Sequence, residues 1–205
     1  MIRRTVWLAG IVFVLALQGV IAAEDQEESQ QPPIMKPALI VIDIQNVWLP
    51  FMATADKDSA PAKINEAITL FRESKNPVIV VYHTDPKLGP PPGTDPFKFP
   101  DWVAIEDSDP VIVKNYPSSF QKTALDSVLK EKGVNAVFLC GLSATGCVLA
   151  TYFGAGERDY VPFMVSGALI SPKTEYTRTI EEILSSVGTQ ELATLLKGQY
   201  RLQNQ

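Results

Sequence analysis

The sequence predicts a three-layer α/β/α domain, with helices on both faces of a mostly parallel sheet of five to six strands. Three observations lead there. Short apolar runs rich in β-branched residues recur along the chain, they are continuous rather than alternating, and helical spacings separate them. A continuous apolar strand is buried on both faces, and right-handed crossovers place helices on each side of such a sheet. With 205 residues, 46% of them hydrophobic, the chain can fill one core of this kind but not two.

The first strand is ALIVID (38–43). After it, residues 62–73 carry Ile64, Ala67, Ile68, Leu70 and Phe71 at helical spacing. PVIVVYH (77–83) is the second strand. Residues 84–110 hold seven prolines and no periodic pattern, which suits a lid, a binding loop or a stiff surface insertion. VIVK (111–114) is a weaker strand, and QKTALDSVLKEK (121–132) a helix stopped by Gly133. NAVFLC (135–140) runs into Gly141 and then a helix begun by VLATYF, with Ser143 or Thr145 as its cap. YVPFMV (160–165), a helix over 174–185 and a closing helix over 188–197, behind a very short edge strand, complete a domain spanning 38–198. The arrangement is Rossmann-like.

The N-terminus is of another kind. MIRR, an apolar run over 6–16 and the small-residue end GVIAA give residues 1–23 the form of a secretory signal peptide. An uncleaved membrane anchor is the alternative, because residues 5–23 lack charge and approach the roughly 20 residues that span a bilayer. Residues 24–37, polar and proline-bearing, read as a flexible linker. The expected location is therefore secreted or periplasmic, with membrane contact only if the N-terminal segment is retained. Formal net charge is −5, and −7 without Arg3 and Arg4 (−5 − 2), which argues against nucleic acid as a partner.

Ligands of an open parallel sheet bind at the C-terminal strand ends. Those ends carry Asp43, His83, Lys114 and Cys140, with Cys147 just beyond. Asp43 reads as an acid–base group or as half of a structural ion pair, with Lys114 as the cation that keeps it charged. Cys147 reads as a nucleophile, its thiolate favoured by a helix N-terminus and a neighbouring lysine, or as a small buried thiol. Cys140, inside a strand, fits the buried thiol better. Backbone N–H groups of Ser143 and Cys147 can form an oxyanion hole. Gln45, Trp48, His83 and Phe120 are the candidates for a substrate pocket. With one histidine, a His-rich metal site is excluded, and no cofactor is expected. There is no P-loop and no G-x-S-x-G elbow.

ALIVIDIQN (38–46), VIVKNYPSSF (111–120) and GLSATGCVLAT (141–151), in this order and at these strand ends, resemble the isochorismatase-like hydrolases. That family includes nicotinamidases and N-carbamoylsarcosine amidase, and the resemblance spans about residues 37–190. It implies a triad of Asp43, Lys114 and Cys147. Asp43 would move the proton, Lys114 would hold the charges, and Cys147 would form a thioester that water hydrolyses. It also implies a cis peptide at Leu142–Ser143, a small-molecule substrate and a homo-oligomer. The histidines of the nicotinamidase metal cluster are missing here, which counts against metal and nicotinamide. The cysteine points to C–N cleavage, so the expectation is an exported cysteine hydrolase of a small amide or carbamoyl compound. A non-catalytic binding domain, with Cys147 unreactive or tied to Cys140, and a vinyl ether hydrolase are the alternatives. Redox sensing through the two cysteines is a weaker one, since their spacing is not C-x-x-C.

Overall fold

A computed structural model describes residues 32–202 apart from Leu88 and Gln199. The expected signal peptide, 1–23, and residues 24–31 of the linker lie outside the described residues. Six strands form one parallel sheet: β1 (Pro37–Ile42), β2 (Val78–His83), β3 (Val111–Lys114), β4 (Ala136–Leu142), β5 (Val161–Ile170) and β6 (Ser186–Val187). Their order across the sheet is β3-β2-β1-β4-β5-β6. The helices are α1 (Thr54–Glu73), α2 (Leu125–Glu131), α3 (Leu149–Gly156), α4 (Thr174–Ile183) and α5 (Thr189–Lys197).

The continuous apolar runs are explained by two cores. Leu39 and Val41 of β1 pack with Ile64, Ile68 and Phe71 of α1 and Leu192 of α5. Ala38, Ile40 and Ile42 point the other way, toward Leu125 and Leu129 of α2, Ala155 of α3 and Ile180 of α4. Every residue of β1 is buried. From β1 the chain builds outward to β2 and β3, then returns to β4 and builds the other half. The segments leaving β1 and β4 therefore diverge, opening a crevice between them at the switch point of the sheet.

Three boundaries differ from the sequence pattern. Helix α1 starts at Thr54, because its first turns are polar and contain Pro61, both of which hide it. A buried carboxylate fastens that start: Asp56 Oδ2 accepts from the Ser171 N–H (3.0 Å) and the Thr177 hydroxyl (2.6 Å). Removing it leaves a buried N–H unpaired, so Asp56→Ala should lose about 2–3 kcal/mol in urea unfolding. Strand β5 runs on to Ile170, past Ser166 and Gly167, where its register with β4 shifts. At the domain edge, the N–H of Met35 donates to Tyr200 and that of Leu202 to Pro33, so residues 33–35 belong to the domain, not to the linker.

The 84–110 connection is a packed insertion. Tyr82 stacks on Phe97 (4.8 Å between centroids) and packs against Phe99 (4.5 Å), and Phe97, Phe99 and Val103 are buried. Gly141 serves a different need. Its φ is +113°, and a Cβ there would overlap the carbonyl oxygen of Ile42, so only glycine lets β4 pass this close to the end of β1.

Candidate active site

Strand β1 ends at Ile42, and Asp43 then turns into the left-handed region at φ +53°, a conformation aspartate tolerates better than most residues. Its carboxylate is thereby aimed into the crevice rather than along the strand. Lys114 ends β3, beside His83 of β2 in the parallel register. Its ammonium reaches across β2 to Asp43 Oδ2 (2.6 Å) and to His83 Nδ1 (3.0 Å). Both members of the ion pair are buried, at 0% and 2% side-chain exposure. The other carboxylate oxygen, Asp43 Oδ1, is buried and has no hydrogen-bond partner.

Cys147 enters from β4. After the Leu142–Ser143 peptide, which is cis, Ala144–Val148 form a π-helical turn that Gly146 breaks with φ −117° and ψ −108°. The N–H groups of Gly146 (2.9 Å) and Val148 (3.2 Å) both donate to the Ser143 carbonyl. The Cys147 carbonyl accepts from the Thr151 hydroxyl at 2.7 Å, and Thr151 in turn bonds Ser119 after β3. A carboxylate oxygen of Asp43, a ring nitrogen of His83 and Cys147 Sγ thus come within 4.8 Å of one another. Among the described residues, the Ser143 N–H has no acceptor. Above the cluster lies a cavity of about 210 Å³, whose remaining walls are Trp48, Met52, Leu142, Ser143 and Gly146.

The electrostatics follow from burial. Desolvation pushes Asp43 up to about 6, although Lys114 pulls the other way. Burial, and then the charge of Asp43, push the Cys147 thiol up to about 12, outweighing Lys114. At neutral pH the pair is a thiol beside a carboxylate. This corrects the expected thiolate: Cys147 sits in the π turn ahead of α3, and the carboxylate beside it opposes a second negative charge. Burial, then Lys114, push His83 down to about 4, so its ring is neutral. An ammonium only donates, so Nδ1 accepts and the ring proton is on Nε2.

The other sequence candidates divide. Trp48 and His83 line the cavity, their rings edge to face at 6.0 Å between centroids. Gln45 does not: Nε2 donates to the carbonyls of His83 and Phe97 (3.0 Å each), and Oε1 accepts from the His83 N–H (2.8 Å) and Trp48 Nε1 (3.3 Å). Every polar group of that amide is used, so it is a clamp rather than a substrate contact. Phe120 is also elsewhere, buried against Tyr160 in the core that faces α2. Ser143 and Thr145 cap no helix; their hydroxyls meet each other at 3.5 Å. Met52, Leu142 and Gly146 were missed. Leu142 and Gly146 lie inside the GLSATGC motif, but nothing in the apolar periodicity singles out Met52.

Cys140 and Cys147 are both free, and burial raises the Cys140 thiol within β4. Asp43, His83 and Cys147 offer ligand atoms suited to a divalent ion. The Lys114 ammonium, bonded to two of the three residues, puts a positive charge against any cation there.

Residues 37–191 match the family model of the isochorismatase domain. The chain is 34% identical to the isochorismatase family protein YddQ of Bacillus subtilis over 139 residues, 65% of this chain and 77% of that one. It is 26% identical over 149 residues to maleamate amidohydrolase of Pseudomonas putida, covering 63% and 70% of the two chains. The crystal structure of N-carbamoylsarcosine amidase from Thermoplasma acidophilum superposes with a TM-score of 0.65 at 28% identity, over 75% of this chain and 95% of that one.

Proposed function

This chain belongs to the isochorismatase family of hydrolases, and from that premise we propose that it is a cysteine hydrolase cleaving the C–N bond of a small amide or carbamoyl compound. The observation that carries the reading is a buried carboxylate oxygen without a partner, Asp43 Oδ1, in the same small cavity as the Cys147 thiol. Leaving a buried carboxylate oxygen without a donor is costly even when the charge itself is paired, and such costs gather at functional sites.

Asp43 takes the thiol proton as Cys147 Sγ attacks the carbonyl carbon, since the thiol does not ionise on its own near neutral pH. Negative charge gathers on the substrate oxygen, where the Ser143 and Cys147 N–H groups stabilise it. Asp43 then gives the proton to the departing nitrogen, the C–N bond breaks, and an acyl thioester remains on Cys147. Water attacks the thioester as Asp43 accepts its proton, the C–S bond breaks and the acid is released, and Asp43 returns the proton to the Cys147 sulfur. Lys114 favours the ionised form of Asp43 between proton transfers, and His83, bonded to the ammonium, holds Lys114 in place. Export to the periplasm or outside the cell is part of the proposal, supported by the signal-like residues 1–23.

Ammonia release from a panel of small amides tests the activity, and mass spectrometry of acid-quenched enzyme tests the thioester on Cys147. A pH profile tests the base. A protonated Asp43 cannot accept the thiol proton, so kcat/KM should fall about tenfold per pH unit below an apparent pKa near 6 and be level above it. A profile that keeps rising toward pH 9 instead would assign the rate to a free thiolate and remove Asp43 from the mechanism.

A further inference from the structure

Resting on the cysteine-hydrolase reading, we propose that the substrate is a neutral primary amide with a short apolar acyl chain, and that amides bearing a carboxylate are rejected. The first ground is the charge at the cavity. Of the residues that line it, Asp43 alone carries a formal charge, and no arginine or lysine is among them. Lys114 is the nearby cation, but it is buried and already bonded to Asp43 and His83. His83 presents a neutral ring. A substrate carboxylate would thus enter next to the Asp43 carboxylate and find no free counter-charge, which is a repulsive element against that class.

The second ground is what the cavity does offer. Ser143 supplies an unpaired backbone N–H, His83 a ring N–H on Nε2, and Asp43 Oδ1 an unpaired acceptor. The carbonyl oxygen of a primary amide has two lone pairs and can accept from both donors, while one of its N–H bonds donates to Asp43 Oδ1. Trp48, Met52 and Leu142 complete the walls with apolar surface. The volume of about 210 Å³ lies below the roughly 300–1,000 Å³ of pockets for drug-sized ligands. Maleamate, the substrate named for the Pseudomonas putida relative, carries a carboxylate, so this site is expected to differ from that one.

Two matched pairs test the proposal: butyramide with succinamate, and butyraldehyde with succinic semialdehyde. Members of each pair differ by a methyl group against a carboxylate. The aldehydes need no turnover, because the thiol adds to their carbonyl to give a hemithioacetal. Its carbon is visible by NMR when that position is ¹³C-labelled, and its absence in Cys147→Ala shows where it forms. The expected result is an adduct at least about thirtyfold tighter for butyraldehyde, and kcat/KM at least about 100-fold higher for butyramide. A tighter adduct with succinic semialdehyde, or faster succinamate hydrolysis, overturns the neutral class and leaves the nucleophile standing. If neither aldehyde adds to Cys147, the nucleophile reading fails and takes the substrate class with it.

Discussion

Cys147→Ala is expected to lower kcat/KM for a primary amide by at least about 10,000-fold, the scale at which removing a nucleophile stops the reaction. The fold should persist. The side chain is half-buried, its backbone carbonyl keeps the Thr151 bond, and the Asp43–Lys114 pair is untouched. The unfolding free energy in urea should therefore change by no more than about 1 kcal/mol. A steady-state assay beside an unfolding curve separates the two effects. Full activity in this variant would remove the thioester altogether.

Lys114→Met has the second large effect, and it acts on stability and rate together. Removing one member of a buried ion pair forces the other to stay charged without a partner or to take up a proton in the folded state, a loss of about 3–5 kcal/mol. With its cation gone, the Asp43 carboxyl should be protonated at neutral pH, so the base is lost as well, about 100- to 10,000-fold in rate. The double variant Asp43→Leu/Lys114→Met tells these apart. Replacing both charges by apolar groups should restore much of the stability while the activity stays absent. If the double variant is as unstable as the single one, the cost lies in packing around the lysine stem and not in the orphaned carboxyl.

The fold was legible because both faces of β1, β2 and β4 are covered, which writes itself into the sequence as ALIVI, VIVV and AVFLC. The same logic fails where burial is not apolar. Helix α1 begins on a buried aspartate, and β5 continues through Ser166 and Gly167, so neither extension has a hydrophobic signature. That Asp43, Lys114 and Cys147 converge could be read from the sequence, because they stand at or just beyond the ends of strands of one parallel sheet. The ionisation state of Cys147 could not be, because it depends first on how deeply the thiol is buried and then on how close a carboxylate lies, and both are set by the sheet order. Gln45 and Phe120 look like pocket residues from their neighbours in sequence, yet each turns away from the cavity to satisfy a bond or fill a core.

Gln45 has a mechanical consequence. One side chain holds the end of β2 through His83, the ring of Trp48, and the long connection through the Phe97 carbonyl. A swinging gate needs its moving part to be uncoupled from the frame it closes against. Here any outward swing of the 84–110 segment at Phe97 would pull on the amide that steadies two walls of the cavity. Substrate entry and product exit are thus expected to use the standing mouth of the pocket, and turnover to proceed without a gating motion of that segment.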